Sequence, residues 1–214
     1  MRQFHFPFRF CRALFAACVL GSALGLSGCG PREPTFDNMN ITGNAQFPHD
    51  FALPDTNGVI RTMADYKGKV VVMVFGYTHC PDVCPTTLAE LAQALQQLGP
   101  QDAKRVQVLF MTVDPQRDTA TVLEQYVHAF NASFSALRAA NDAQLKQTMA
   151  AFHIDYRKDA PVAGMTPGDY TMSHTAASLV FDVKGNPRLL VRDALGVTSW
   201  VHDLKLLLDP SQSG

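Results

Sequence analysis

With 214 residues, 47% of them hydrophobic, and five cysteines, the chain has material for one domain with a sizeable core plus a targeting segment, and too few thiols for a disulfide-stapled scaffold. A formal net charge of −1 gives no basic excess to hold nucleic acid. Residues 1–28 carry Arg2, Arg9 and Arg12 and no acid, so the remainder has 15 basic against 19 acidic residues, a charge of −4.

Met1 to Arg12 is basic and the apolar run Ala13 to Leu26 follows it, the layout of an export signal, though short for a membrane span. The run ends in Leu26-Ser27-Gly28-Cys29, which resembles a bacterial lipobox, where cleavage before Cys29 leaves that residue as a lipidated N-terminus. A cut elsewhere, or an uncleaved anchor, is the alternative. This reading places a lipoprotein signal peptide over 1–28 and the mature protein in the bacterial periplasm, tied to a membrane by the lipid on Cys29. Cys11 and Cys18 leave with the peptide. Gly30 to Pro48 is rich in Pro, Asn and Gly and shows neither helical nor strand period, so residues 29–46 read as a flexible tether and 47–214 as the domain.

Phe51 to Asp55 alternates, Asn57-Gly58 is a hairpin turn, and Val59 to Met63 returns as a second short strand. Val70 to Phe75 is an apolar, β-branched run that ends in Gly76, and the polar segment carrying Cys80 and Cys84 leads into a helix expected over Thr86 to Leu98, stopped by Gly99-Pro100. Val106 to Val113 is the next strand, so strand, helix, strand predicts a parallel pair. Asp118 or Thr119 caps a helix whose Val122, Leu123, Tyr126, Val127 and Phe130 share one face. A further helix runs from Asn141-Asp142 to Phe152, with a short strand at Ile154 to Tyr156 and a loop from Lys158 to Asp169. Ser178 to Asp182 and Arg188 to Val191 flank the turn Lys184-Gly185-Asn186, and Thr198 to Leu208 closes the chain as a helix. Parallel strands, a later antiparallel pair and a terminal helix describe an α/β, thioredoxin-like domain with an N-terminal β-hairpin, a central mixed sheet and flanking helices.

Cys80 and Cys84 stand at i and i+4, so one helical turn or a tight loop brings both sulfurs to one side, within reach of each other or of one metal ion. Pro85 suits the first helical turn, where its missing N–H is no loss, and the helix N-terminus favours thiolate. The chemistry is therefore thiol, metal or both. A purely structural disulfide is the plainer alternative, but a bridge over so short a loop constrains little of the unfolded chain.

The string GYTHCPDVCPTTLAEL at 76–91 resembles the signature of the Sco/SenC family, and DPQRDT at 114–119 and Tyr126-Val127 look like the same family. The hairpin before the first core strand is similar to that of Sco-like and peroxiredoxin-like variants of the thioredoxin fold. The resemblance covers about residues 47 to 208 and implies a copper-binding protein that serves cytochrome c oxidase assembly. It makes Cys80, Cys84 and His174 the copper ligands, His174 standing where most thioredoxin-fold proteins carry a proline. Cys80 and Cys84 would also be a redox-active pair, able to form a disulfide, and oxidation would then abolish metal loading. Two thiolates and an imidazole suit Cu(I), and the imidazole also helps to hold Cu(II); zinc could use the same set but ranks below copper. Ser173 departs from the family, which usually has an aspartate there, and Ser133 to Asn141 departs from a Gly/Thr-rich turn.

Other candidates are weaker. His79 beside Cys80 reads as tuning the thiol or as idle, and Asp114 either fixes the turn before Pro115 or supports the ligands from behind. His49, His128, His153 and His202 read as surface or packing residues, and Met165 and Met172 need no function. Three functions compete. A membrane-tethered copper chaperone would deliver to the CuA-bearing subunit of cytochrome c oxidase or to an intermediary periplasmic copper chaperone. A thiol-disulfide oxidoreductase, fed by a thiol reductant, would keep the CuA-site cysteines reduced. A copper or redox sensor is the third. The peroxidase pattern Pro-x-x-x-Thr-x-x-Cys does not surround Cys80.

Overall fold

The computed structural model describes residues 35–160, 169–192 and 196–209. The signal segment, Cys29, Met165 and most of the Lys158 to Asp169 loop lie outside the described residues. In chain order the elements are β1 (Met39–Asn40), β2 (Leu53–Pro54), β3 (Ile60–Arg61), β4 (Val70–Gly76), α1 (Val83–Ala103), β5 (Val106–Thr112), α2 (Ala120–Phe130), β6 (Ser135–Leu137), α3 (Asp142–Ala151), β7 (Tyr156–Lys158), β8 (Met172–His174), β9 (Ala177–Phe181), β10 (Pro187–Arg192) and α4 (Val197–Leu208).

Six strands form a mixed sheet in the order β1-β10-β9-β4-β5-β6, with β4, β5 and β6 parallel and β9, β10 and β1 each antiparallel to the neighbour before it. Every residue of β4 and β5 is buried because both sheet faces are covered, which is why β4 reads as an unbroken apolar run and β5 as one interrupted by Gln107 and ending in Thr112. Val70, Val72 and Val74 face one core half, with Leu88, Leu91 and Leu95 of α1, Leu123 of α2 and Trp200 and Leu204 of α4. Val71, Met73 and Phe75 face the other half, with Leu53, Leu145, Met149 and Phe152. The α/β thioredoxin-like class expected from sequence is the one observed.

Part of the segment read as tether belongs to the fold. Phe36 packs on the core, β1 pairs with β10 and Ile41 is buried. The anchor is the buried carboxylate of Asp203 on α4, which accepts from the backbone N–H of Asp37 and Asn38 and from Asn38 Nδ2 at 2.9, 3.1 and 2.7 Å. These partners are about 165 residues apart, so the contact leaves no local period to read, and the boundary at 46 is corrected to Phe36. Elsewhere the differences are small. The hairpin strands β2 and β3 are shorter than expected, β7 begins at Tyr156, and α1 begins at Val83, which puts Cys84 inside its first turn. Gly99, at φ 79°, breaks α1 where the sequence predicted a stop. The Asn57-Gly58 and Lys184-Gly185-Asn186 turns form, with Gly185 N–H donating to Asp182 O at 2.9 Å. β6 and β8 were not expected; each is three residues long and declares itself only through its pairing.

Candidate metal centre

β4 delivers the cysteine loop. After Gly76 and the buried Tyr77 the chain turns through Thr78 and His79 to Cys80, with Cys80 N–H donating to Tyr77 O at 3.1 Å. Cys80 is half-buried, touching both halves of the core, whereas Cys84 is buried in the α1 half. Gly76 makes room for the second sulfur: a Cβ there would lie 2.6 Å from Cys84 Sγ and 2.9 Å from the Phe110 ring. Both cysteines are free thiols in this structure.

The two sulfurs are unequal. A hydrogen bond from Cys84 holds the Cys80 thiol well below its ordinary range; partial burial opposes this, and His174 and the N–H groups of Asp82 and Cys84 assist it. Cys84, the donor in that pair and also buried, is pushed up. Cys80 is thus the first thiol to ionise and the accessible one.

His174 closes β8 and turns its ring to the same place. Its Nε2 lies 3.9 Å from Cys84 Sγ, and its Nδ1 is 3.0 Å from the Thr175 carbonyl. A carbonyl only accepts, so Nδ1 carries a hydrogen, and Nε2 is the ring nitrogen that faces the sulfurs. Tyr77 stacks edge-on against the imidazole with centroids 6.0 Å apart, and its hydroxyl bonds to the Met172 backbone, tying the cysteine loop to β8. Bonds of about 2.3 Å to sulfur and about 2.0 Å to nitrogen would together span the gap from Cys84 to His174. The donor set therefore fits one soft or borderline ion held by Cys80, Cys84 and His174.

Asp114 touches no candidate ligand but braces the turn that contains Pro115, its carbonyl accepting from Asp118 N–H at 3.0 Å. Its carboxylate accepts from Tyr170 OH at 2.8 Å and from Arg117 Nε at 2.6 Å, while Arg117 Nη1 donates to Tyr170 O at 2.7 Å. The Tyr170 ring lies between Arg117 and Lys158, each 3.6 Å from its centroid. Asp114 thus grips the chain four residues before His174. His79 is exposed, and its Nδ1 meets Thr78 Oγ1 at 3.1 Å. Ser173 donates to Asp159. Among the other histidines, His49 and His128 are exposed; His153 packs edge-on against Phe47, and His202 is hydrogen-bonded to Asp203 at 2.8 Å.

The residue that sequence reasoning missed is Asp118, read as one of two cap candidates. Thr119 makes the cap, accepting from Val122 N–H, and Asp118 is wholly buried. Its carboxylate accepts from Thr78 N–H at 3.1 Å, Thr78 Oγ1 at 2.6 Å and Thr112 Oγ1 at 2.5 Å, knotting the cysteine loop to the end of β5. Two adjacent cap-type residues were the only signal, and they do not say which one turns inward. A second group of potential ligands, Asp37, His202 and Asp203, is already spent: both Asp203 oxygens accept from Asp37, Asn38 and His202.

Comparison with known proteins agrees with this geometry. The SCO1/SenC family model matches residues 39–209. The mitochondrial SCO2 homolog of Bos taurus is 34% identical over 137 residues, 64% of this chain and 50% of its own length, so the chain spans about half of that relative. Apo Sco1 of Thermus thermophilus superposes with a TM-score of 0.69 at 35% identity, covering 84% of this chain and 100% of that one. ScoI of Bradyrhizobium japonicum, solved with copper bound, gives 0.61 at 34% identity over 73% of this chain and 96% of that one. With the family model matched from β1 to the residue after α4, and the paired thiols and facing imidazole in place, the chain belongs to the SCO1/SenC family.

Proposed function

We propose that this protein is a copper chaperone, lipid-tethered through Cys29 in the bacterial periplasm, that carries copper on Cys80, Cys84 and His174 toward the CuA centre of cytochrome c oxidase, directly or through an intermediary chaperone. The observation that carries this reading is the convergence of His174 Nε2 on the sulfur pair, with Nδ1 committed to Thr175 O. A disulfide exchanger needs no such imidazole. The copper-bound relative and the family's implied role in oxidase assembly support the cargo and the recipient. Soft thiolates favour Cu(I), and the imidazole adds the nitrogen donor that Cu(II) prefers. Loading requires reduced thiols, so Cys80–Cys84 oxidation would stop transport.

The inequality of the thiols favours a second reading, thiol-disulfide exchange. The Cys80 thiolate would attack a target disulfide and form a mixed disulfide, and Cys84 would then displace the target. The target gains two electrons and two protons as a dithiol, Cys80–Cys84 becomes a disulfide, and a thiol reductant regenerates it. One titration separates the two. Full-length reduced protein in detergent, titrated with Cu(I) and Cu(II), should bind about one equivalent of each with thiolate-to-Cu(II) absorption, and His174→Ala should remove that absorption. No copper binding, with rapid Cys80–Cys84 exchange, would leave the oxidoreductase.

A further inference from the structure

β7 and β8 form a two-stranded ribbon outside the main sheet, three residue pairs long: Tyr156 with His174, Arg157 with Ser173 and Lys158 with Met172. So short a ribbon does not hold its own register in water. Side chains alternate across it, so His174 and Met172 share one face while Ser173 and Thr171 occupy the other. On that second face sits the carboxylate of Asp159, just past β7. Ser173 Oγ donates to its two oxygens at 2.9 and 2.8 Å, Thr171 Oγ1 donates at 3.1 Å and Arg157 Nε at 3.2 Å. Asp159 N–H in turn donates to Thr171 O at 2.9 Å. One carboxylate thus gathers donors from both strands, at the register that places the imidazole over Cys84.

We infer that Asp159, acting through Ser173 and Thr171, is the positioning residue for His174: it fixes the register of the β7–β8 ribbon and hence the aim of Nε2 at the sulfurs. A slip of one residue would turn His174 to the opposite face, away from Cys84. Asp159 touches no ligand and lies on the surface side of the ribbon, its side chain 25% exposed, so its removal leaves the core intact. The inference rests on His174 being a copper ligand, and it assigns the lock to the histidine alone. The sulfur pair hangs from β4 and α1 and does not depend on it.

The test compares full-length wild type, Asp159→Ala, Ser173→Ala, Ser173→Thr, His174→Ala and Asp159→Ala/His174→Ala, each titrated in the reduced state with Cu(I) and Cu(II) under matched conditions. Cu(I) affinity should stay within about twofold in the lock variants, while Cu(II) affinity falls roughly tenfold or more with a shifted thiolate-to-Cu(II) band, the size usual for losing a group that orients a ligand. Ser173→Thr keeps the hydroxyl and should bind as wild type. In the His174→Ala background, removing Asp159 should cost nothing more. Wild-type Cu(II) affinity in Asp159→Ala, or an equal loss with His174 already absent, would overturn the lock while leaving the metal site standing. If wild type and His174→Ala bind Cu(II) alike, the three-ligand site fails and the lock falls with it.

Discussion

Cys80 and Cys84 follow a seven-residue strand whose every residue is buried, whereas His174 ends a three-residue strand that is only half-buried throughout and lies in a ribbon outside the main sheet. The cysteine side is fixed by the core itself: Gly76 seats the Cys84 sulfur, and buried Asp118 binds Thr78 to Thr112. On the histidine side the fastenings are single side-chain clusters, the partly exposed Asp159 below the ribbon and the buried Tyr170–Asp114 pair with Arg117 before it. In the proposed site, affinity from the thiols would then follow global folding, while affinity from the imidazole would follow a short ribbon expected to open below the global unfolding free energy. Release of copper, as proposed, would then need only the imidazole to loosen, with the two thiols undisturbed.

The sharpest break of this contrast is Asp118→Ala. It takes the acceptor from the Thr78 N–H and hydroxyl and from the fully buried Thr112 hydroxyl, and we expect a loss of about 2–4 kcal/mol in denaturant unfolding with weakened binding of both copper states. Asp118→Asn keeps the shape and isolates the charge. Burial, opposed by the bonds from Thr112 and Thr78, raises the Asp118 pKa, so the native state keeps its proton where the unfolded chain has lost it. Its stabilisation is full below the ordinary carboxylate range and is lost as pH rises through the raised value. The stability gap between wild type and Asp118→Asn should therefore shrink from about pH 4 upward; a gap that widens with pH would reverse the assignment. Gly76→Ala comes next. Its methyl collides with Cys84 Sγ and Phe110, for about 1–3 kcal/mol in unfolding and a displaced sulfur that lowers Cu(I) affinity as well as Cu(II). Unchanged Cu(I) affinity would show that the thiol pair is less rigidly seated than the core suggests.

The same division decides what could be read from sequence. The stretch from Val70 to Leu91 was legible because a fully buried strand is an unbroken apolar run, and the thiols, prolines and helical spacing follow it without a gap. The Lys184-Gly185-Asn186 turn and the leucines of α4 were legible for similar local reasons. β1 was not, because Asn38 and Asp203 hold it across the whole length of the chain. Nor was β8, since Met172-Ser173-His174 has no strand period of its own and is ordered by pairing with Tyr156-Arg157-Lys158. His174 itself came from the family resemblance, not from spacing. Asp114 was noticed for its place after a core strand, but its partner Tyr170 lies 56 residues on, beyond any local pattern.

Tyr170→Phe should have the smallest effect, and it probes the histidine side from its other fastening. The change keeps the ring between Arg117 and Lys158 and removes only the hydroxyl that donates to Asp114. Asp114 retains Arg117, so the carboxylate is not left alone, and the loss should be about 1 kcal/mol. Because that bond tethers the chain just before β8, the loss should appear as faster amide exchange at Met172 to Thr175, with the global unfolding midpoint almost unmoved. Copper should report the same asymmetry, Cu(II) binding falling slightly and Cu(I) binding holding. If instead exchange quickens equally in β4 and β8, the two sides open as one unit, and the ribbon is as much a part of the core as the strand that carries the cysteines.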